Sequence, residues 1–191
     1  MKKAVLRKQY LEKRKACSLE QGEIFSQQIC RHFFEHFKPG PPLTMHVFLP
    51  ILKHCEVNTW LIIKKLWAEY PEVRIVVPIT NFKTDALEHY QLGPETEIKE
   101  SSWGIPEPVN ALQVPEPEID MVLLPLLAFD LKGNRVGYGK GYYDKFLQRC
   151  RPDVLKIGLS LLPPVDLITD VHAGDMPLDY CITPQQGYHF R

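Results

Sequence analysis

The residues best suited to chemistry lie in one short run, residues 135–144, in which glycines occupy alternate positions. Arg135 precedes the glycines, Lys140 sits among them, and two tyrosines and Asp144 close the run. Glycine lets the main chain approach a ligand closely and adopt positive φ angles. With two cations beside it, such a loop is suited to bind a phosphate chain. Asp144 is then suited to hold a magnesium ion that also contacts the phosphate oxygens.

The elements on either side of the glycines strengthen this interpretation. Residues 121–129 form an apolar run that predicts a buried strand, and residues 142–150 have helical apolar spacing, with Tyr143, Phe146 and Leu147 on one side. The first turn of a helix has unpaired N–H groups, and its dipole favours an anion there. The alternative is a plain turn, because the spacing matches neither the P-loop nor the dinucleotide fingerprint.

Residues 130–147, which read DLKGNRVGYGKGYYDKFL, resemble the signature of the 5-formyltetrahydrofolate cyclo-ligase family, also called methenyltetrahydrofolate synthetases. The usual signature has leucine, glycine and arginine where this chain has Val136, Lys140 and Lys145. The last two exchanges keep or add positive charge. The resemblance implies ATP-dependent cyclisation of 5-formyltetrahydrofolate to 5,10-methenyltetrahydrofolate, with release of ADP and phosphate, through a phosphorylated formyl intermediate.

The resemblance also implies a role for each residue of the run. It assigns catalysis to Arg135 and Tyr143, and magnesium to Asp144. Lys140 replaces a glycine of the family, and its positive charge beside the phosphate is what suggests a catalytic role for it. ATP binding falls to a larger set, namely Lys3, Arg7, Arg135, Gly137, Tyr138, Gly139, Lys140, Gly141, Tyr142 and Tyr143. Tyr142 and Tyr143 are also expected to pack on the folate or to orient its formyl group.

The N-terminal residues 2–17 predict a helix with a narrow apolar face. Lys3 and Arg7 are four positions apart and therefore point from one face. Spacing alone favours a solvated basic helix. However, the pattern KxxLR, followed by an LxxR that ends at Arg14, resembles the N-terminus of the same family. That resemblance implies that Lys3 and Arg7 reach the ATP phosphates.

The folate end of the site is expected after the first strand, residues 44–51. A strand end followed by a loop is the usual ligand edge of an α/β sheet. The sequence EVNT, which begins at Glu56, resembles the EVDT of the family. The resemblance implies that Ile51 and Glu56 contact the pterin. The alternative for Glu56 is an acid in the first turn of the next helix, stabilised by the dipole.

Two further matches concern Trp103 and Asp175. The sequence WGIPEP, which begins at Trp103, resembles a family stretch whose aromatic stacks near the pterin; the alternative is a lid over the core. The sequence DMPLD, which begins at Asp175, resembles a family stretch that suggests a second magnesium ligand, although Gly174 replaces the usual histidine. His172 and Asp175 are three apart, which is typical of either a metal pair or a surface pair.

The remaining pattern alternates strands and helices. Ser18 and Gln21 form a capping box at the start of a helix that ends near Phe37, and residues 59–70 form another helix, with Trp60, Ile63 and Trp67 facing inward. Further strands are expected at 73–80, 86–92 (nearer an edge), 154–159 and 180–183. This order predicts a single-domain α/β fold over 1–191, with an open, mostly parallel sheet and helices on both faces, in the manner of a Rossmann-like three-layer protein.

Composition limits the partners. The 191 residues are 45% hydrophobic and carry 23 basic and 23 acidic side chains, which argues against nonspecific binding to nucleic acid or membrane surfaces. The five cysteines contain no CxxC, which excludes the usual zinc and redox motifs and favours free thiols in the cytoplasm. The charged start of the sequence is unlike a signal peptide. The resemblance implies folate and ATP with magnesium as partners, and the expected state is a monomer or weak homodimer.

Two other classes of function remain open at this point. One is a nucleotide-sensing or folate-binding protein without turnover, which would keep the glycine loop but gain nothing from Lys140 beside a transferred phosphate. The other is a sugar-phosphate isomerase or a protein like the CoA-transferases, since open α/β sheets serve many chemistries.

Overall fold

A computed structural model describes residues 1–101 and 104–190. Within these residues the α-helices are α1 (Lys3–Lys15), α2 (Leu19–His36), α3 (Trp60–Glu69) and α4 (Tyr142–Leu147). The strands, in chain order, are β1 (Thr44–His46), β2 (Arg74–Asn81), β3 (Ala86–Gln91), β4 (Ile98–Glu100), β5 (Pro106–Pro108), β6 (Met121–Pro125), β7 (Ala128–Phe129), β8 (Arg135–Val136), β9 (Leu155–Leu159), β10 (Tyr180–Ile182) and β11 (Gly187–His189). None of the described helices is both long and apolar enough to cross a bilayer.

Seven of these strands form the main sheet, in the order β11-β10-β9-β6-β1-β2-β3. The inner strands from β10 to β2 are parallel, whereas β3 and β11 run antiparallel at the two edges. Two small antiparallel ribbons, β4-β5 and β7-β8, lie outside the sheet. The prediction of an open, mostly parallel sheet is confirmed, and so is the edge position of β3.

The sheet separates two apolar cores because successive side chains of a strand point to opposite faces. In β6, Leu123 joins the core that contains Phe33 of α2, together with residues of α3. Its neighbours Val122 and Leu124 join the core on the other face, which contains Phe146 of α4. Helices therefore cover both faces, as the sequence predicts. Helix α1 packs separately, against the β7-β8 ribbon.

The local signals in α2 and α3 differ in how well they predict the structure. Ser18 Oγ accepts a hydrogen bond from the N–H of Gln21 at 3.1 Å, which confirms the helix cap. In α3 the buried face is centred on Ile62, Ile63 and Leu66. The expectation that Trp60 and Trp67 face inward is only partly right, because both lie at the margin of the core and are half-buried.

Two predicted strands are shorter than expected. The strand predicted at 44–51 ends at His46, although residues 47–50 remain buried. The strand predicted at 120–129 divides into β6 and β7 after Pro125, where the chain leaves the main sheet to form the ribbon. In both places the backbone diverges at the carboxyl end of a central strand. This divergence makes room for a cavity at the carboxyl ends of β1 and β6.

Candidate functional site

A cavity of about 870 Å³ lies at the carboxyl ends of β1 and β6. From β1 the chain moves outward through β2 to β3, then returns to β6 on the other side of β1 and moves outward through β9. Such a reversal of direction is a topological switch point, where open α/β sheets bind ligands. The walls include Phe48 and Leu49 after β1, Pro125 at the end of β6, and the glycine loop 137–141.

The cavity brings together the site residues predicted from distant parts of the sequence. Those that line it are Lys3, Arg7, Ile51, Glu56, Arg135, Gly137, Tyr138, Gly139, Lys140, Gly141, Tyr142, Tyr143, Asp144 and Asp175. Trp103 lies outside the described residues, although the nearby Ile105 and Pro106 are part of the wall. The roles of these residues remain predictions. Because all of them line one cavity, residues that are far apart in the sequence can contact the same ligand.

The glycine loop is held open by its backbone conformation and by Arg7. Gly139 and Gly141 have φ angles of 96° and 72°, in the left-handed region that favours glycine. Arg7 Nε donates a hydrogen bond to the carbonyl oxygen of Gly137 at 2.9 Å. A Cβ atom on Gly139 would lie 3.0 Å from Cζ of Arg7. The close approach of this guanidinium therefore requires glycine at position 139.

The two cations of the loop lie in different environments. Arg135 is buried, with 7% of its side chain exposed, and its Nη2 donates to Asp144 Oδ1 at 2.7 Å. Burial lowers the pKa of Arg135, and the negative charge of Asp144 opposes this shift. Lys140 is exposed, and no hydrogen bond or ion pair holds its ammonium group within the described part of the chain. Lys140 can therefore move to a ligand, whereas Arg135 is fixed.

Asp144 and Asp175 lie on neighbouring segments of the cavity wall. The N–H of Met176 donates to Asp144 Oδ1 at 3.0 Å, which brings the segment after Asp175 against α4. Carboxylate oxygens of this kind suit magnesium, which usually takes one or two carboxylates and completes its shell with water and phosphate. Within residues 1–101 and 104–190 no group of three or more histidine, cysteine or acidic side chains forms a metal cage.

In this structure Asp175 is paired with cations. Lys3 Nζ donates to its Oδ2, and the N–H of His172 donates to the same oxygen at 2.9 Å. Burial raises the pKa of Asp175, but the hydrogen bonds from Lys3 and His172 outweigh burial and hold it below its ordinary value. The Lys3 side chain is only 15% exposed. The alternative of a fully solvated basic helix is therefore wrong for this residue.

Glu56 also lines the cavity and is buried, with 8% of the residue exposed. Its Oε2 accepts a hydrogen bond from the N–H of Ile51 at 2.9 Å, and its Oε1 accepts one from the hydroxyl of Tyr138. Helix α3 begins only at Trp60. The alternative that Glu56 is an exposed acid in the first helical turn is therefore wrong.

The charge of Glu56 affects two tyrosine hydroxyls, and only that of Tyr138 also donates a hydrogen bond to it. Burial, followed by the charge of Glu56, raises the pKa of Tyr138 well above its ordinary value. The same causes raise the pKa of Tyr143, and Arg135 opposes them only in part. Both hydroxyls therefore stay protonated near neutral pH. They can donate hydrogen bonds to a ligand or to Glu56.

Sequence reasoning missed Arg14, whose side chain is buried beside Tyr138 and Glu56. The signal was present in the LxxR pattern, since position 14 follows Lys3 by three helical turns and lies on the same face. It also missed the apolar wall, which no motif marks and which comprises Phe48, Leu49, Pro78, Phe82 and Leu87.

Comparison with known proteins gives one consistent result at the level of sequence. The model of the 5-formyltetrahydrofolate cyclo-ligase family matches residues 1–184. The 5-formyltetrahydrofolate cyclo-ligase of Haemophilus influenzae is 38% identical over 108 residues, which is 55% of this chain and 57% of that protein. The enzyme of the same name from Escherichia coli K12 is 29% identical over 185 residues, which is 94% of this chain and 98% of that protein.

Solved structures give the same result at the level of fold. A 5,10-methenyltetrahydrofolate synthetase from Mycoplasma pneumoniae superposes with a TM-score of 0.73 at 26% identity, covering 96% of this chain and 99% of that one. The 5,10-methenyltetrahydrofolate synthetase of Aquifex aeolicus superposes with a TM-score of 0.74 at 26% identity, covering 100% of this chain and 94% of that one.

Proposed function

The chain belongs to the 5-formyltetrahydrofolate cyclo-ligase family, and from this premise we propose that it converts 5-formyltetrahydrofolate to 5,10-methenyltetrahydrofolate with consumption of ATP. One observation carries the proposal. A single cavity is lined by a glycine loop with cations, which we call the phosphate end, and by a buried carboxylate with apolar walls, which we call the folate end. These two parts match the two substrates, a triphosphate and a pterin.

The phosphate end supplies charge and backbone donors. Lys3 and Arg7 reach it from α1, Lys140 reaches it from the loop, and Arg135 lies beneath. Phosphoryl transfer needs positioning and charge neutralisation more than covalent help from the protein. Lys140 is the residue best suited to follow the transferred phosphoryl group, since it is exposed and not held by the described residues.

Asp144 and Asp175 are the residues that would hold magnesium. When bound, the ion neutralises phosphate charge and fixes the geometry of the triphosphate. Arg135 keeps Asp144 oriented through its 2.7 Å hydrogen bond. Lys3 holds Asp175 in the same way and balances its charge.

The folate end is suited to a flat ring with hydrogen-bond donors on one edge. The amino group and adjacent ring N–H of a pterin are two such donors, and the oxygens of Glu56 can accept both. The apolar wall that includes Ile51 covers the ring. By resemblance, Trp103 would stack on the same ring, and Tyr142 and Tyr143 would orient the formyl group.

The oxygen of a formamide is a poor leaving group, so the reaction must activate it before the ring can close. Transfer of the γ-phosphoryl group forms a bond between phosphorus and the formyl oxygen and breaks the bond to the oxygen that leaves with ADP. The neighbouring side-arm nitrogen of the folate then attacks the formyl carbon and loses its proton. Phosphate departs with the electrons of the carbon–oxygen bond, so no covalent bond to the protein is needed. The protonated hydroxyl of Tyr143 can donate to the formyl oxygen during this sequence.

The cysteines and the extent of the fold bear on the setting in which the protein acts. All five cysteines are free, which suits a reducing cytoplasm. We propose that the whole of 1–191 acts as one domain on small-molecule substrates, as a monomer or weak homodimer without nucleic acid.

The proposal is tested by following the near-ultraviolet absorbance of methenyltetrahydrofolate. The protein is incubated with 5-formyltetrahydrofolate, ATP and magnesium chloride, and ADP is measured in parallel. We expect the absorbance to rise with one ADP formed per product, and to stay flat when ATP is omitted, when EDTA replaces magnesium, or when a non-hydrolysable ATP analogue is used.

The same experiment separates the alternative functions. A binding protein without turnover would be stabilised against heat by ATP and folate but would give no absorbance change. A sugar-phosphate isomerase or a CoA-transferase-like protein would give neither result. A flat trace from folded protein that binds ATP would contradict the proposed function.

A further inference from the structure

The C-terminal end of α1 carries a buried cation, Arg14, that has no part in the proposed reaction so far. Only 8% of the residue is exposed. Its Nη1 donates to the hydroxyl oxygen of Tyr138 at 2.7 Å and lies 3.8 Å from Oε1 of Glu56. Its Nη2 donates to the carbonyl oxygen of Leu126, directly after β6. These contacts hold the guanidinium in one orientation below the cavity.

The chemistry of arginine determines the direction of each hydrogen bond in this group. Arginine has only donors, so the oxygen of Tyr138 must accept from Arg14. The single hydroxyl proton of Tyr138 is then directed to Oε1 of Glu56, which is its other partner. The second oxygen of Glu56 accepts from the N–H of Ile51 at 2.9 Å. Each carboxylate oxygen can accept one further hydrogen bond, so the oriented carboxylate keeps the capacity to bind two donors.

We propose that Arg14 is a positioning residue for the folate end of the site, acting through the hydroxyl of Tyr138 to orient Glu56 toward the pterin donors. This inference rests on the proposed function. Arg14 does not line the cavity, whereas Tyr138 and Glu56 both do. Arg14 therefore acts through its two partners and not by touching a substrate. The hydroxyl of Tyr138 serves the folate end, although the family resemblance groups Tyr138 with the ATP-binding residues.

Helix α1 thereby connects the two ends of the cavity. Lys3, Arg7 and Arg14 are separated by four and seven positions, so they lie along one face. Arg7 and Arg14 are about 10 Å apart along the helix axis, from the rise per residue. Arg7 bonds to the carbonyl of Gly137, and Arg14 bonds to the side chain of the next residue. One rigid element therefore sets the position of both the loop and the carboxylate.

The inference is tested with Arg14→Met and Tyr138→Phe. Without the arginine the hydroxyl of Tyr138 is free to turn, and without the hydroxyl Glu56 loses a donor. We expect the Kd and KM for 5-formyltetrahydrofolate to rise by about 10- to 100-fold in each variant, the range for losing a hydrogen bond to a charged group. The KM for ATP should change by less than about threefold, because the phosphate contacts remain.

Three further variants sharpen the test. Arg14→Lys keeps the charge but loses the planar fork, so it should restore only part of the folate affinity. The double variant Arg14→Met with Tyr138→Phe should bind folate no more weakly than the weaker-binding single variant, since both substitutions act through one hydroxyl. Lys8→Met removes an exposed cation from the solvent face of the same helix and should leave both KM values unchanged.

The outcomes separate this inference from the proposed function. If the KM values for ATP and for folate rise in parallel, Arg14 only supports the docking of α1. An unchanged folate Kd in Tyr138→Phe would also overturn the inference. If Arg14→Met fails to fold, Tyr138→Phe, which keeps the ring, tests the hydroxyl, and Arg14→Lys, which keeps a buried cation, tests the guanidinium. A wild-type protein that binds 5-formyltetrahydrofolate without turnover would contradict the proposed function, while the folate Kd values would still judge the role of Arg14.

Discussion

At the scale of single residues, Arg135 and Lys140 carry the same charge but differ in burial, and this difference suits them to different roles. Arg135 is 7% exposed and is tied to Asp144, so its position is fixed before any ligand arrives. Lys140 is exposed on the loop and is not held by the described residues. A fixed cation suits a group that is bound throughout the reaction. A mobile one suits a group that changes position, as the phosphoryl group does in the proposed reaction.

This difference gives a prediction for Lys140→Met. We expect kcat to fall by roughly 100-fold, the size typical of losing one electrostatic donor to a transition state. The Kd for 5-formyltetrahydrofolate should change by less than about threefold, since Lys140 lies at the phosphate end. Single-turnover absorbance and folate titration measure the two quantities. Lys132→Met is the matched control, because Lys132 is exposed nearby but does not line the cavity. Equal losses of rate and folate affinity would assign Lys140 a structural role.

At the scale of elements, the glycine loop and α1 fit together at Gly139. In Gly139→Ala the new Cβ would lie 3.0 Å from Arg7 Cζ, at a φ angle of 96°. We expect the free energy of unfolding to fall by about 1–2 kcal/mol from backbone strain. We also expect weaker ATP binding, because Arg7 is displaced from the loop. Urea unfolding and ATP titration measure the two effects.

Gly141→Ala provides the control within the same loop. Its φ angle is 72°, but no atom lies within 4 Å of the added Cβ. It therefore introduces strain without crowding Arg7. ATP affinity should fall more in Gly139→Ala than in Gly141→Ala. If the two variants bind ATP with equal affinity, the contact between position 139 and Arg7 does not contribute to ATP binding.

The elements also show what a sequence can predict. The capping pair Ser18 and Gln21 and the apolar run of β6 are local signals. The cap and the buried strand are confirmed, although the strand ends at Pro125. The glycines could be located between a strand and a helix for the same reason. The ribbon β7-β8 could not be predicted, because strands of two residues are too short to show alternation. The LxxR pattern places Arg14 on the same face as Lys3, but its burial depends on how α1 docks against this ribbon, which periodicity does not reveal.

At the scale of the whole molecule, the core on the α4 face contains two buried histidines whose ring nitrogens make no hydrogen bonds within the described residues. His46 and His89 have ring centroids 5.1 Å apart, and His89 lies 4.1 Å from Phe146. Burial lowers the pKa of both, to about 4 for His89, where Glu116 and Glu88 oppose the shift and Arg149 reinforces it. Both rings are therefore neutral at physiological pH and serve as packing groups.

The lowered pKa of His89 predicts loss of stability in acid. The unfolded chain takes up a proton near pH 6.5 and the folded chain only near pH 4, so stability is complete above pH 6.5 and falls as the pH drops toward 4. At pH 5 the loss through His89 is about 2 kcal/mol. Urea unfolding at pH 7 and pH 5 measures it. His89→Leu should show a smaller difference between the two pH values than His54→Leu, which replaces an exposed histidine. The same pH dependence in both variants would exclude this contribution.

The ion pair between Lys3 and Asp175 joins positions 172 residues apart. During synthesis the N-terminal helix therefore leaves the ribosome long before its partner segment has been translated. A nascent chain that stops short of position 175 has the glycine loop but lacks one wall of the cavity. Domains fold as units while synthesis proceeds, and here the cavity is completed only after position 175 has emerged.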